Sequence, residues 1–280
     1  MGLFLMLIAS LPAWCASPDA RAIITKAMIH DARNEKMRRD YTYLERQEER
    51  EFDASGKTVK TEANEYEHTN FYGQNHRRHV RKNGNPLPDK EARKEQEKLD
   101  KIAASRKDET ASQRENRLAE ADRRAERRRR YSRQIPEIYD FTLLSEEKLD
   151  GRDVWVIGAE PKPGYRATES MTKAMTKMHG KFWIDKATNQ MVKLDAEALD
   201  TVSFGFFLVR LNKGARFILE QTRVNDEVWL PKRMQAALDA RVAVVKKFRG
   251  QMDVTFSNYR KFQSDSRIVD TAEIPPVRPQ

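Results

Sequence analysis

The stretch Lys-Phe-Trp-Ile-Asp-Lys-Ala-Thr-Asn-Gln-Met-Val-Lys-Leu-Asp-Ala-Glu, residues 181–197, decides the fold. An aromatic strand ends at Asp185, a short polar turn runs from Lys186 to Asn189, and a return strand alternates Met191, Lys193 and Asp195 against Val192, Leu194 and Ala196. The same alternation continues downstream over residues 202–211, 215–225, 228–238, 242–247 and 252–262, with Asn212-Lys213-Gly214 and Asn225-Asp226-Glu227 as turns. Upstream, residues 139–148 and 153–161 flank an Asp150-Gly151 hairpin turn. Val154, Trp155, Val156, Ile157 and Ala159 leave that strand without a polar face, so it is expected to be covered on both sides. Residues 41–52, 57–72 and 76–82 read as a further antiparallel meander, broken at Asp53-Ala54-Ser55-Gly56 and Gly73-Gln74-Asn75.

Two helical segments interrupt these strands. Ser17-Pro18-Asp19 offers cap chemistry, and Ala20, Ile23, Ile24, Ala27, Met28 and Ala32 recur at helical spacing, predicting an amphipathic helix to Arg38. Residues 89–133 contain no Gly or Pro and are dominated by Lys, Arg, Glu and Ala. Leu99, Ile102, Leu118, Ala121 and Ala125 give them only a thin apolar stripe, so this coiled-coil-like segment keeps most of its surface in water. Unbroken, it would span about 65 Å. A capping box at Ser112-Gln113-Arg114-Glu115 offers the alternative of two helices broken near residues 108–112. The stripe is too thin for an independent core, so residues 88–133 read as an insertion in one domain of residues 18–280. The fold class is α+β: a strongly bent antiparallel sheet with an N-terminal helix and a long helical insertion.

The chain has 280 residues, 39% of them apolar, and a net charge of +10, which favours contact with anionic surfaces without choosing among them. Residues 1–17 combine a short apolar run from Leu3 to Leu11 with small residues before Pro18, the pattern of a signal peptide cleaved near Ala16 or Ser17. The run is too short to cross a membrane, which needs roughly 20 apolar residues. Cys15, the single cysteine, cannot form an internal disulfide. Lipid attachment is its other role, against which bulky Trp14 stands where a small residue is expected.

Catalytic chemistry is absent from the motifs. His76 and His79 fall on opposite faces of a strand with two arginines between them, a poor cation site. No nucleophile elbow, zinc-protease motif or phosphate loop occurs, and the acidic residues are scattered. No metal or cofactor is expected. Arg123, Arg124, Arg127, Arg128, Arg129 and Arg130 form the densest basic run. They suit a solvated helix face laced with ion pairs, or contact with a protein partner or anionic headgroups. Nucleic acid is the weaker partner, because acidic residues are dispersed through the same helix and an exported chain rarely meets it.

Trp183-Ile184-Asp185 with its turn and return strand, Val228-Trp229-Leu230-Pro231 after a turn, and Asn258-Tyr259-Arg260-Lys261-Phe262 in a final strand carry a resemblance. Together with the glycine-punctuated pair around Phe204-Gly205-Phe206-Phe207 and Gly214-Ala215-Arg216-Phe217, they resemble LolA/LolB-like and RseB-like envelope proteins over about residues 139–262. The resemblance implies an open half-barrel, a periplasmic location and non-enzymatic binding or carriage of acyl chains, lipids or lipoproteins. On it, Phe182, Ile184, Phe204, Phe206, Trp229 and Phe256 are the candidate ligand-binding residues. Their face either lines a groove or fills a core. The insertion departs from the compact carriers, and as lid or docking arm it also fits an envelope scaffold or sensor.

Overall fold

The computed structural model describes residues 18–204, 209–242 and 246–261. Residues 1–17 with Cys15, and Phe206 and Phe262, lie outside them. The chain runs α1 (Ala20–Arg38), β1 (Tyr41–Phe52), β2 (Thr58–Phe71), β3 (Gln74–Lys82), β4 (Asn85–Pro86), α2 (Asp89–Lys107), α3 (Ala111–Ile138), β5 (Tyr139–Leu149) and β6 (Arg152–Pro161). It continues through α4 (Ser170–Met175), β7 (Met178–Asp185), β8 (Met191–Ala198), β9 (Val202–Phe204), β10 (Val209–Leu211), β11 (Arg216–Val224), β12 (Val228–Val242) and β13 (Lys246–Lys261). The strands form one antiparallel sheet in the order β4-β3-β2-β1-β13-β12-β11-β8-β7-β6-β5, with β9 and β10 off this path. The two ends do not pair, so the sheet is an open half-barrel. Register shifts in β1, β2, β5, β7 and β11 supply the irregularities that let a wide sheet bend.

The residues of the 181–197 hairpin account for its geometry. Asp185 is buried, and its Oδ1 accepts the Thr188 N–H and hydroxyl, each at 2.7 Å, while Arg152 Nε donates to Oδ2 at 2.8 Å. Asn189 takes a positive φ of 52°, a conformation asparagine tolerates. Phe182 pairs with Ile157 on one side and Leu194 on the other, and Leu194 pairs with Leu219. This row faces α1, where Ile23, Ile24, Ala27 and Met28 pack against Phe182, Ile184, Ile157 and Ile138. Ile24, Ile157 and Ile184 are fully buried, worth about 1.5–3 kcal/mol each relative to exposure. On the opposite face Val154, Val192 and Trp229 form a second cluster with Leu149 and Trp183. The doubly apolar strand is therefore covered on both faces, as expected.

Four local expectations change. Among the described residues no separate strand covers 242–247, since Val242 ends β12 and Lys246 begins β13. The stretch 202–211 contains two short strands, β9 and β10, that pair with each other instead of one continuous strand. The third helix starts two residues earlier than a Ser112 cap would place it. Thr110 Oγ1 accepts the Gln113 N–H at 3.2 Å and Gln113 Oε1 accepts the Thr110 N–H at 2.9 Å, because glutamine at the third helical position can reach back. Helix α3 also runs through Pro136, which occupies its last turn, before β5 begins at Tyr139. The insertion touches the sheet near one margin: Glu95 of α2 accepts the His79 N–H of β3 at 3.4 Å.

Candidate functional site

Helix α1 is held on the sheet by a buried polar cluster. Asn34, 3% exposed, donates through Nδ2 to the Trp229 carbonyl at 2.6 Å and accepts the Trp229 N–H on Oδ1 at 2.8 Å. It substitutes for a missing strand: β13 pairs with β12 only from Arg233 onward, while Trp229 keeps β11 on its other side. Arg38 adds a bond from Nε to the Trp229 carbonyl at 3.0 Å, and through Nη2 reaches Gln221 Oε1 at 2.7 Å and Asp31 at 2.9 Å. Tyr259 donates to the Pro231 carbonyl at 2.5 Å. Burial, then the nearby Tyr43, pushes the Tyr259 phenol far above its ordinary range.

Beside this anchor α1 and α3 flank a cleft of about 520 Å³. Met28, Ile29, Ala32 and Pro136 give it an apolar floor, and Arg33, Lys36, Arg129 and Arg133 rim it against a single lining carboxylate, Glu126. Ile29 is 52% exposed, an apolar side chain left in solvent on the helix otherwise packed by its other face. A smaller space lined by Asp31, Glu35, Arg38 and Ser132 adjoins it through the shared Met28, Ala32 and Arg129. Two of the rim cations are compensated. Arg129 pairs with Glu126 at 2.9 Å and Glu35 at 3.3 Å, and Arg133 reaches Glu126 at 2.8 Å. The hydrogen bond from Arg129 holds the Glu126 carboxyl below the usual carboxylate range. Arg33 and Lys36, one turn apart on the exposed face of α1, enter no ion pair among the described residues.

Of the candidate residues read from the sequence, Phe182 and Ile184 do not share a face of the sheet with Trp229. Phe182 and Ile184 come together under α1, inside the main core. Trp229 belongs to the cluster on the opposite face. Phe256 is half-buried, with its ring 5.9 Å from Tyr43 in an edge-on arrangement, and Phe204 ends β9. Of the arginine run, Arg124 pairs with Glu120, Arg129 with Glu126 and Glu35, and Arg130 with Glu169 at 2.9 Å. Arg123 and Arg127 are exposed on α3, and the same helix carries Arg128.

The arrangement nearest to a catalytic one surrounds His68, which is buried. Its Nε2 lies 2.7 Å from Glu45 and its Nδ1 3.0 Å from Asn75 Oδ1, with Tyr43 stacked on the ring at 4.3 Å. With both ring nitrogens engaged, the imidazole has none to offer a substrate. Burial pushes the Glu45 carboxyl up, but the hydrogen bonds from His68 and Arg77 outweigh it and leave the group below its ordinary range. No group of three metal-ligating side chains occurs among the described residues. None of the described helices is long and apolar enough to cross a membrane.

No family model matches the chain, and no curated protein matches it. Several solved structures are similar. They include a DUF1329 family protein from Desulfovibrio piger, at 11% identity over 88% of this chain and 95% of that one, with a TM-score of 0.35. A LolA superfamily protein from Nitrosomonas europaea matches at 9% identity over 89% and 95%, with a TM-score of 0.31. The MucA/MucB complex of Pseudomonas aeruginosa matches at 12% identity over 88% and 100%, with a TM-score of 0.23. The half-barrel assignment rests on strand order and register, since all of these scores lie below 0.5.

Proposed function

We propose that this chain is a non-enzymatic periplasmic binding or carrier protein for a hydrophobic ligand, a single half-barrel domain whose ligand sits between α1 and α3. The observation that carries the reading is the cleft floor. Met28, Ile29, Ala32 and Pro136 converge on a space within the roughly 300–1,000 Å³ of small-ligand pockets. The apolar residues Phe182 and Ile184 then serve as the platform on which α1 rests. The leader-like residues 1–17 support export. Native mass spectrometry of protein purified from the cell envelope tests the reading. Co-purifying lipid, and displacement of a fluorescent fatty acid that Ile29→Asp abolishes, are the expected outcomes; a ligand-free protein that binds no fatty acid contradicts it.

A scaffold role is the second reading, favoured by exposed Arg123 and Arg127, which enter no ion pair among the described residues. It predicts co-sedimentation with anionic vesicles that Arg123→Gln with Arg127→Gln removes. Deleting the insertion would not separate the two readings, because α3 supplies a wall of the cleft.

A further inference from the structure

We propose that the cleft between α1 and α3 selects a single-chain amphiphile with an anionic head, its tail on Ile29 and Met28 and its head between Arg33 and Lys36. The inference rests on the binding role proposed above and adds the ligand's charge. Four cations and one carboxylate line the cleft, so its lining carries an excess of positive charge. That excess is not evenly available. Glu126 and Glu35 take up Arg129, and Glu126 also takes up Arg133. Arg33 and Lys36 enter no ion pair among the described residues, and Asp122, which feels the charge of Lys36, is itself paired with Arg39.

Their positions fit an amphiphile. Ile29, Arg33 and Lys36 stand four and then three residues apart, a spacing that aligns them along one face of a helix. A tail on Ile29 therefore extends toward a head at the two cations. A neutral head would leave the cations without partners, and a cationic head would meet repulsion. A carboxylate or phosphate monoester supplies the complementary charge, and hydrogen bonds to ionised groups are the strong ones. The volume of about 520 Å³ suits one chain.

Calorimetric titration of the exported chain with dodecanoate, dodecyl phosphate, dodecanol and dodecyltrimethylammonium, each below its micelle concentration, tests the proposal. Both anions should bind at least about tenfold tighter than the alcohol, the order expected of one charge-assisted contact, and the ammonium weakest. The preference should shrink as salt is raised. Arg33→Gln with Lys36→Gln should bring the anions to within about twofold of the alcohol, whose own affinity stays unchanged. Arg123→Gln with Arg127→Gln, a charge control elsewhere on α3, should retain the preference. Inorganic phosphate alone should not compete at the concentrations where dodecyl phosphate saturates. Equal affinity for alcohol and anions, a preference that survives the double substitution, or competition by inorganic phosphate overturns the anionic-amphiphile assignment while leaving the cleft a ligand site. Failure of all four compounds to bind overturns both.

Discussion

Replacing Asn34 with alanine should detach the second half of α1 from the sheet. The side chain satisfies both backbone groups of Trp229 where β13 no longer pairs with β12. Its removal affects the two groups unequally. The Trp229 carbonyl retains Arg38 Nε at 3.0 Å, whereas the N–H loses its acceptor in a site where Asn34 is 3% exposed. An orphaned buried donor costs about 1–3 kcal/mol, and the lost bond to the carbonyl adds about 1 kcal/mol, so the expected loss is about 2–4 kcal/mol. For a chain of this size each kcal/mol lowers Tm by roughly 2–4 °C, so a fall of about 4–16 °C is expected in thermal unfolding followed by circular dichroism. Arg38→Ala in the same background should cost more than in the native chain, because it removes the remaining side-chain donor to Trp229. A loss below about 0.5 kcal/mol for Asn34→Ala would refute the reasoning, since surface substitutions alone reach that size.

Two further perturbations probe the sheet. A β-carbon at Gly180 would lie 2.5 Å from the Asp195 carbonyl oxygen, a backbone atom with little room to move, so Gly180→Ala should destabilise by about 1–3 kcal/mol in urea unfolding. An unchanged midpoint would contradict the tight approach of β7 and β8. Acid unfolding should follow Glu45, Asp195 and Asp253, whose carboxyls lie below their ordinary ranges: Glu45 through His68 and Arg77 despite its burial, Asp195 through Arg216, and Asp253 through Arg233. A depressed folded-state pKa stabilises fully above the unfolded value, about 4 for these groups, and the contribution disappears as pH falls through the folded value. Tm should hold between roughly pH 5 and 7 and decline below about pH 4.5. Glu45→Gln should lower the plateau and flatten the acid limb; an acid limb of unchanged slope would remove Glu45 from the account.

The sheet was legible because its strands announce themselves individually. Asp185 and Asn189 bound a turn whose geometry their side chains complete, and Val154 to Ala159 carry apolar residues on both faces because two clusters claim them. Residues 202–211 misled because two three-residue strands that pair with each other have the same local pattern as one longer strand. The cleft was less legible. Its walls come from residues 25–36 and 126–136, and no periodicity in either segment states that the two helices meet. The local trace is Ile29, one position off the stripe of Ile24 and Met28, with cations following at Arg33 and Lys36. Asn34 gave no signal, since its partner is a backbone group 195 residues away. Aromatic residues drew attention to Phe182 because they dominate packing, and packing is where it stands.

The binding site itself is tested most directly by photo-crosslinking with a fatty acid carrying a diazirine in mid-chain, followed by peptide mapping of the labelled chain. Label is expected on Met28, Ile29, Ala32 or Pro136, abolished by excess dodecanoate. Label confined to the sheet around Phe204 and Phe256, or spread without competition, would contradict it.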